Sequence, residues 1–405
     1  MSFGLSRQLW VVELGIFLNM LGYGAVLPFE VIYLHDGRGF SLGIAGLVVG
    51  TLTGVAVVTA PIAGAVIDRI GARATVAAAG LFLAAGYAGL AFAESPPTAL
   101  AAAALAGAGN GALSPSQSAL MTALAPRELL HRASAVSRVA VNVGIGLGGA
   151  LGGLVAGFGL KGFMALFLAN AATYVVYVAI LVATVREDVP AARVVGGYRR
   201  LLRDRAFVHF ALTNIVLIAV GWGVLAWLVP PYAEELGLAP GLIGLLFLAN
   251  AATVVLAQVP IVKWAEGRSR VGALALGAGA WVGACVLAVL APGGTPTAAY
   301  LCLVAAAVAF GLGECLHATA FLPLVADLAP PELRGRYMAA IGLTWWVGLA
   351  LSPTLGAQLL AVSPSLALLA AAALSVAAIV SLLALEARLP AGVRLIPHPR
   401  TTAPR

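Results

Sequence analysis

"LAPRELLHRASA", residues 124–135, and "LAPPELRGRYMA", residues 328–339, are two copies of one segment. A shift of 204 residues superimposes them, with Leu, Ala, Pro, Glu, Leu, Arg and Ala at matching places. The register runs on without a gap into the flanking apolar stretches: Gly107 falls on Gly311, Gly109 on Gly313, Gly144 on Gly348 and Gly152 on Gly356. Chance likeness between Ala-rich helices does not hold one register through a polar loop and both its flanks, so the chain reads as a duplication.

Composition says what was duplicated. The 405 residues are 61% hydrophobic and 10% charged, with a mean hydropathy of +1.02, outside the range of soluble domains. Twelve apolar runs are each long enough to cross a hydrocarbon core about 30 Å thick as a helix: residues 9–34, 42–66, 74–93, 98–123, 133–157, 162–184, 207–232, 240–263, 271–291, 298–325, 336–362 and 365–386. They lack the apolar/polar alternation of barrel strands, and backbone groups in lipid must be paired internally, so the expected class is an all-α membrane protein. The first run contains Glu13 and lacks a small-residue cleavage site, so it is read as a retained helix rather than a signal peptide. "VREDVPAARVVGGYRRLLRDRA" (185–206) separates six spans from six. The expected organisation is a six-helix bundle over 1–184, a cytoplasmic loop over 185–206, a second bundle over 207–386 and a cytoplasmic tail over 387–405. Six helices per copy put both copies in the same orientation, so two similar bundles can rock around a site at the midplane.

With both termini in the cytoplasm, Arg7, Arg69, Arg73, Arg127, Arg132, the Arg186 to Arg205 cluster, Lys263, Arg268, Arg270, Arg334, Arg336 and the tail arginines share one side, and only Arg38 and Lys161 fall on the other. That is the positive-inside bias of a multi-pass inner (plasma) membrane protein, and it accounts for the net charge of +7 without a nucleic-acid partner. Cys285, Cys302 and Cys315 have no metal-binding spacing, so no metal or other cofactor is expected. No phosphate-binding G-x-x-x-x-G-K-[ST] occurs, which points away from ATP and toward an ion gradient or the substrate's own gradient.

"GAVIDRIGAR" (64–73) resembles the loop signature of the major facilitator superfamily, G-x-x-x-D-R-x-G-R-R/K, through Gly64, Asp68, Arg69, Gly71 and Arg73, with Ala72 in place of one basic residue. The twelve spans, the six-plus-six duplication and the "RGRYMA" loop fit that superfamily over the whole chain. The resemblance implies that this loop latches the outward-facing state, with glycines letting spans 2 and 11 approach and Asp68 capping a helix across the halves. The second copy, "VKWAEGRSR" (262–270), lacks the Asp-Arg pair. "GIGLGGALGG" in span 5 is similar to the glycine motif of the family's twelve-helix drug:proton antiporters through Gly144, Gly148, Gly152 and Gly153, with Gly149 where the motif has proline; ordinary helix packing explains these glycines equally well.

Ionisable groups inside spans are costly and mark function by default. Glu13 and Glu30 lie near the two ends of span 1, where each is expected to reach the interface. Arg138, inside span 5, either snorkels, pairs with Glu128, or joins Asn142 in a polar face toward the cavity. Glu314 is deeper, thirteen residues before Asp327 in span 10, or about 20 Å along a helix. The resemblance places spans 1, 4, 7 and 10 around the central cavity. A carboxyl there can bind a proton at one face and release it when substrate or water arrives, and His317, one turn on, can donate to it or relay the proton. Further cavity candidates are Asn19, Tyr23, Asn110, Asn214 and Trp222, with Trp227, Trp345 and Trp346 as aromatic walls that stack on a cation or merely pack.

The expected function is proton-coupled efflux, by antiport, of hydrophobic or cationic small molecules such as drugs, working as a monomer. The alternative on the same fold is a proton-linked transporter of a sugar, amino acid or lipid-like metabolite, which calls for more fixed polar partners than these. A non-transport sensor leaves the deep acid unexplained, and no nucleophile–base constellation suggests an enzyme.

Overall fold

The computed structural model describes residues 6–124, 130–185, 201–293, 295–330 and 333–396. Among them are twelve long helices: α1 (Arg7–Gly37), α2 (Leu42–Ile70), α3 (Ala72–Ala91), α4 (Pro96–Leu124), α5 (Leu130–Ala156), α6 (Leu160–Thr184), α7 (Arg205–Glu235), α8 (Pro240–Ala265), α9 (Arg270–Leu290), α10 (Pro296–Leu328), α11 (Arg334–Val362) and α12 (Pro364–Glu386). Eleven are long and apolar enough to cross a membrane; α4, which carries Asn110, Ser114, Ser116 and Gln117, is the more polar exception. Side-chain caps start several of them: Ser41, Asp204, Ser269, Thr295 and Ser363 each accept a first-turn N–H that no helical carbonyl can reach.

α1 and its repeat mate α7 both change winding, though not at equivalent residues under the 204-residue shift. α1 tightens to a 3-10 turn at Leu27–Phe29 around Pro28, and α7 widens to a π turn at Val224–Leu228, where the Val229 N–H reaches back to the Val224 carbonyl just ahead of Pro230 and Pro231. A proline ring lacks an N–H and crowds the preceding turn, so the helix changes its winding there.

The packing repeats with the sequence. In the first six helices α1 packs on α5 and α6, and α3 and α2 on α4, with α3 also on α6; in the second six α7 packs on α11 and α12, and α9 and α8 on α10, with α9 also on α12. The sets meet along two seams, α2 on α11 and α5 on α8, which exchange under the same shift.

Glycines set the seams. A Cβ on Gly46 would meet the Pro353 carbonyl and Ala357, one on Gly50 would meet Thr354, and one on Gly153 would sit 2.5 Å from the Pro240 carbonyl. Toward the end that carries the termini the seams part: Gly54 would meet only Ala350, at 3.9 Å, and Gly64 and Gly342 would meet nothing within 4 Å. In the state described here Gly64 does not bring α2 and α11 together. Gly43, Gly46 and Gly50 do so, at the opposite end, while Gly71, with φ of 85°, makes the left-handed turn from α2 into α3. The side chain of Asp68 and the Arg127–Glu128 segment lie outside the described residues, as does most of 185–206. Arg69 is exposed, and Arg73 donates to the Val182 carbonyl at 2.6 Å within its own half.

Candidate functional site

Where the seams part, a cavity of about 1180 Å³ opens between the halves toward the end that carries the termini. Its wall on α1 is the stripe Ile16, Met20, Tyr23 and Leu27, one helical face. α4 contributes Asn110, Ser114, Gln117 and Ser118; α5 contributes Ser137, Arg138 and Asn142; α7 contributes Trp222 and Trp227; α11 contributes Trp345 and Trp346. Arg138, Leu322, Ala339 and Gly342 are exposed at the mouth.

Glu314 is built into this wall by the glycines beside it. A Cβ on Gly311 would press to 3.1 Å on the Asn250 carbonyl, and one on Gly313 would collide with the Trp281 indole. Without side chains at those places α8 and α9 close on α10, so the Asn250 amide donates to Glu314 Oε1 at 3.0 Å and Trp281 Nε1 donates to the Phe310 carbonyl at 3.1 Å. Glu314 is 9% exposed and makes no ion pair among the described residues.

His317 shares the wall but takes different partners. Its Nε2 lies 2.8 Å from Asn214 Oδ1; Asn214 Nδ2 donates to Thr344 Oγ1 at 2.7 Å, and that hydroxyl donates to the Ile341 carbonyl at 2.6 Å. The direction of this chain leaves only an acceptor facing Nε2, so Nε2 carries hydrogen and Nδ1 is the titrating nitrogen. The ring is packed edge-on to Trp222 at 5.1 Å and stacked on Phe321 at 4.8 Å. His317 thus does not donate to Glu314, as its spacing suggested; the carboxyl and the imidazole face different helices.

The remaining candidates divide. Tyr23, Asn110, Arg138, Asn142 and Trp222 line the cavity, as do Trp227, Trp345 and Trp346. Asn142 bonds the Arg138 carbonyl of its own helix at 2.9 Å. Asn19 and Asn214 do not line it and are corrected here. Asn214 is fully buried behind His317, and Asn19 is fully buried on the stripe of Gly15 and Gly22, which faces Tyr177, Asn170 and Thr173 of α6. Gly144, Gly148 and Gly152 admit Met20, Leu21 and Ala25 of α1, and Gly153 admits Pro240 of α8, so the span 5 motif is a packing surface in this state. Neither acid of α1 reaches an interface. Glu13 is 2% exposed and accepts from Ser137 Oγ at 2.7 Å on both oxygens; Glu30 is 3% exposed and accepts from Trp227 Nε1 at 3.0 Å. Asn250, Gln258, Ser137 and Thr344 are the site residues that sequence reasoning missed. The signal for Asn250 was its place in mid-span, in the pentapeptide "ANAAT" that also holds Asn170.

Comparison with known proteins agrees with this architecture. The family model described as Major Facilitator Superfamily matches residues 12–227 and 211–404. The MFS-type transporter YttB of Bacillus subtilis (strain 168) is 27% identical over 369 residues, covering 88% of this chain and 89% of YttB. The multidrug resistance protein MdtH of Edwardsiella ictaluri is 27% identical over 343 residues, covering 84% and 82%. Among solved structures, a point mutant of the nucleoside transporter NupG superimposes with a TM-score of 0.79 at 13% identity, covering 94% of this chain and 100% of that one. The peptide transporter POT bound to sulfate gives 0.78 at 16% identity, covering 96% and 95%; both likenesses concern the fold.

Proposed function

The chain belongs to the major facilitator superfamily, and on that premise we propose that this transporter works by alternating access as a proton-coupled exporter of hydrophobic or cationic small molecules. The moving bodies are the bundles 1–184 and 207–386. The end that carries the termini is cytoplasmic in an inner (plasma) membrane, so the open mouth is an inward-facing state. In that state Gly64 meets nothing within 4 Å, and the signature loop (Gly64, Asp68, Arg69, Gly71, Arg73) closes on the opposite half when the cavity turns outward.

The observation that carries the reading is Glu314. It is a buried carboxyl in the wall of a large aromatic cavity, held by neutral donors, the Asn250 amide and the Trp222 indole, with no cation paired to it among the described residues. Such a group keeps its proton until water or a cationic substrate replaces it, which makes proton and substrate alternative occupants. Trp222, Trp345 and Trp346 give the substrate an apolar, polarisable surface. The multidrug label of the relative MdtH points the same way.

The test is proteoliposome transport under an imposed pH gradient with a panel of cationic dyes. Glu314→Gln is expected to abolish gradient-driven uptake while binding of neutral substrates persists. Gradient-driven transport with unchanged pH dependence in Glu314→Gln sinks the coupling role.

A further inference from the structure

We propose that Glu30 is a second proton-binding site, a latch that holds the outer end of the transporter shut while it carries a proton and releases it on ionising. The proposal rests on alternating access, not on Glu314 as the coupling carboxyl.

The geometry singles Glu30 out. Glu30 follows the 3-10 turn at Leu27–Phe29 and, 3% exposed, is enclosed by Trp227 of α7 and Tyr87 of α3. Oε2 accepts from Trp227 Nε1 at 3.0 Å, and Oε1 lies 3.4 Å from the Tyr87 hydroxyl. Trp227 belongs to α7 and forms part of the closed end of the cavity, so this hydrogen bond joins the two halves where they must separate for the cavity to open outward.

Its surroundings admit the acid and reject the anion. A small apolar pocket of Leu34, Val48, Leu52, Leu90 and Phe167 covers the carboxyl. The titratable groups that face it are Tyr23 of its own helix, Tyr87 of α3 and Tyr174 of α6, all neutral, and no cation is among them. A buried carboxylate with only neutral donors is disfavoured against the acid, whose O–H the Tyr87 oxygen can accept. When the seams part, Trp227 leaves with its half and Glu30 meets outside water, where the anion is hydrated. Proton binding and outer closure are then linked, and one proton changes the closed-to-open ratio by at most about tenfold per pH unit. The other acids at this end, Glu234 of α7 and Asp36 of α1, face each other nearer the surface.

The experiment measures outer opening directly. Spin labels go on Glu94→Cys and Thr297→Cys, exposed at the outer turns of the two halves, in full-length protein with Cys285, Cys302 and Cys315 replaced by Ala, in nanodiscs from about pH 5.5 to about pH 8.5. The long-distance, open population is expected to rise with pH in this background. In Glu30→Gln, which keeps both hydrogen-bond partners without a charge, the outer end stays closed and the slope falls by up to about tenfold per pH unit. Trp227→Phe, lacking the donor, is expected to open at low pH as well. Asp36→Asn and Glu314→Gln keep the slope; loss of transport coupling in Glu314→Gln with the slope intact separates the two proposals. An undiminished slope in Glu30→Gln, or its disappearance in Asp36→Asn alone, overturns the latch.

Discussion

Gly46→Ala should drive the transporter out of the state described here. α2 and α11 touch at Gly46 backbone to backbone: an added Cβ falls against the Pro353 carbonyl oxygen, lies 3.2 Å from its carbon and meets the Ala357 methyl. None of these is the far end of a flexible side chain, so the seam must widen rather than a rotamer turn. Overpacking of this kind costs about 1–3 kcal/mol, which is about a 5- to 150-fold change in the ratio of closed to open outer ends. Gly64→Ala is the matched control, since a Cβ there meets nothing within 4 Å. Both substitutions gain up to about 1 kcal/mol of helix propensity, but α2 stays helical in either state, so that gain cancels from the comparison. The distance measurement between labels at 94 and 297 reads the result at one pH. Gly46→Ala is expected to populate the open outer end, and Gly64→Ala to leave it closed. An unchanged distribution in Gly46→Ala, or equal opening in both, refutes the claim that glycine contact at this end holds the inward-facing state.

Asn214→Leu removes the acceptor of His317 Nε2 and the donor to Thr344; leaving a buried donor unpaired costs about 1–3 kcal/mol, and the detergent-solubilised protein should melt earlier, whereas Thr344→Val, which strands only an amide hydrogen, should cost less. Equal melting of Asn214→Leu and the parent would show that the chain is not formed. Arg270 is 1% exposed and pairs with Asp327 at 2.5 Å, near the loop that mirrors the signature loop. Arg270→Met should be tolerated better than Asp327→Asn, which leaves the guanidinium buried and uncompensated; the reverse order of melting temperatures would contradict this.

The fold was legible because bilayer thickness turns apolar run length into helices, and because one shift aligned both halves. The site was legible in part. Glu314 stood out because ionisable side chains in mid-span are rare. Asn19 misled because the face of α1 that meets the cavity is one residue, about 100° of helix, from the face that meets α6. Met20 lines the cavity and Asn19 does not. Glu30 misled for a different reason: α1 runs on past it to Gly37, and side chains of α3 and α7, remote in sequence, enclose the carboxyl. Asn250 was passed over because a neutral amide in a helix carries little cost of its own, and only the glycines of α10 bring it to the acid.

The duplication separates what the architecture requires from what the chemistry does. Seams and helix pairings repeat under the 204-residue shift, as two rocking bodies require. The positions proposed to bind protons do not repeat in the same way. Glu314 falls on Asn110, which lines the same cavity without a charge, and His317 falls on Leu113. At the closed end Glu30 falls on Glu234 and Trp227 on Tyr23, so a symmetric molecule would carry a second strut from Tyr23 to Glu234. Instead Glu234 faces Asp36, and Tyr23 lines the cavity beside Glu30. Two equivalent acids would bind protons at both halves together and report nothing about which end is open. One acid in the C-terminal wall and one at the outer seam, each with a neutral or differently partnered mate, can be exposed at different stages of a single cycle.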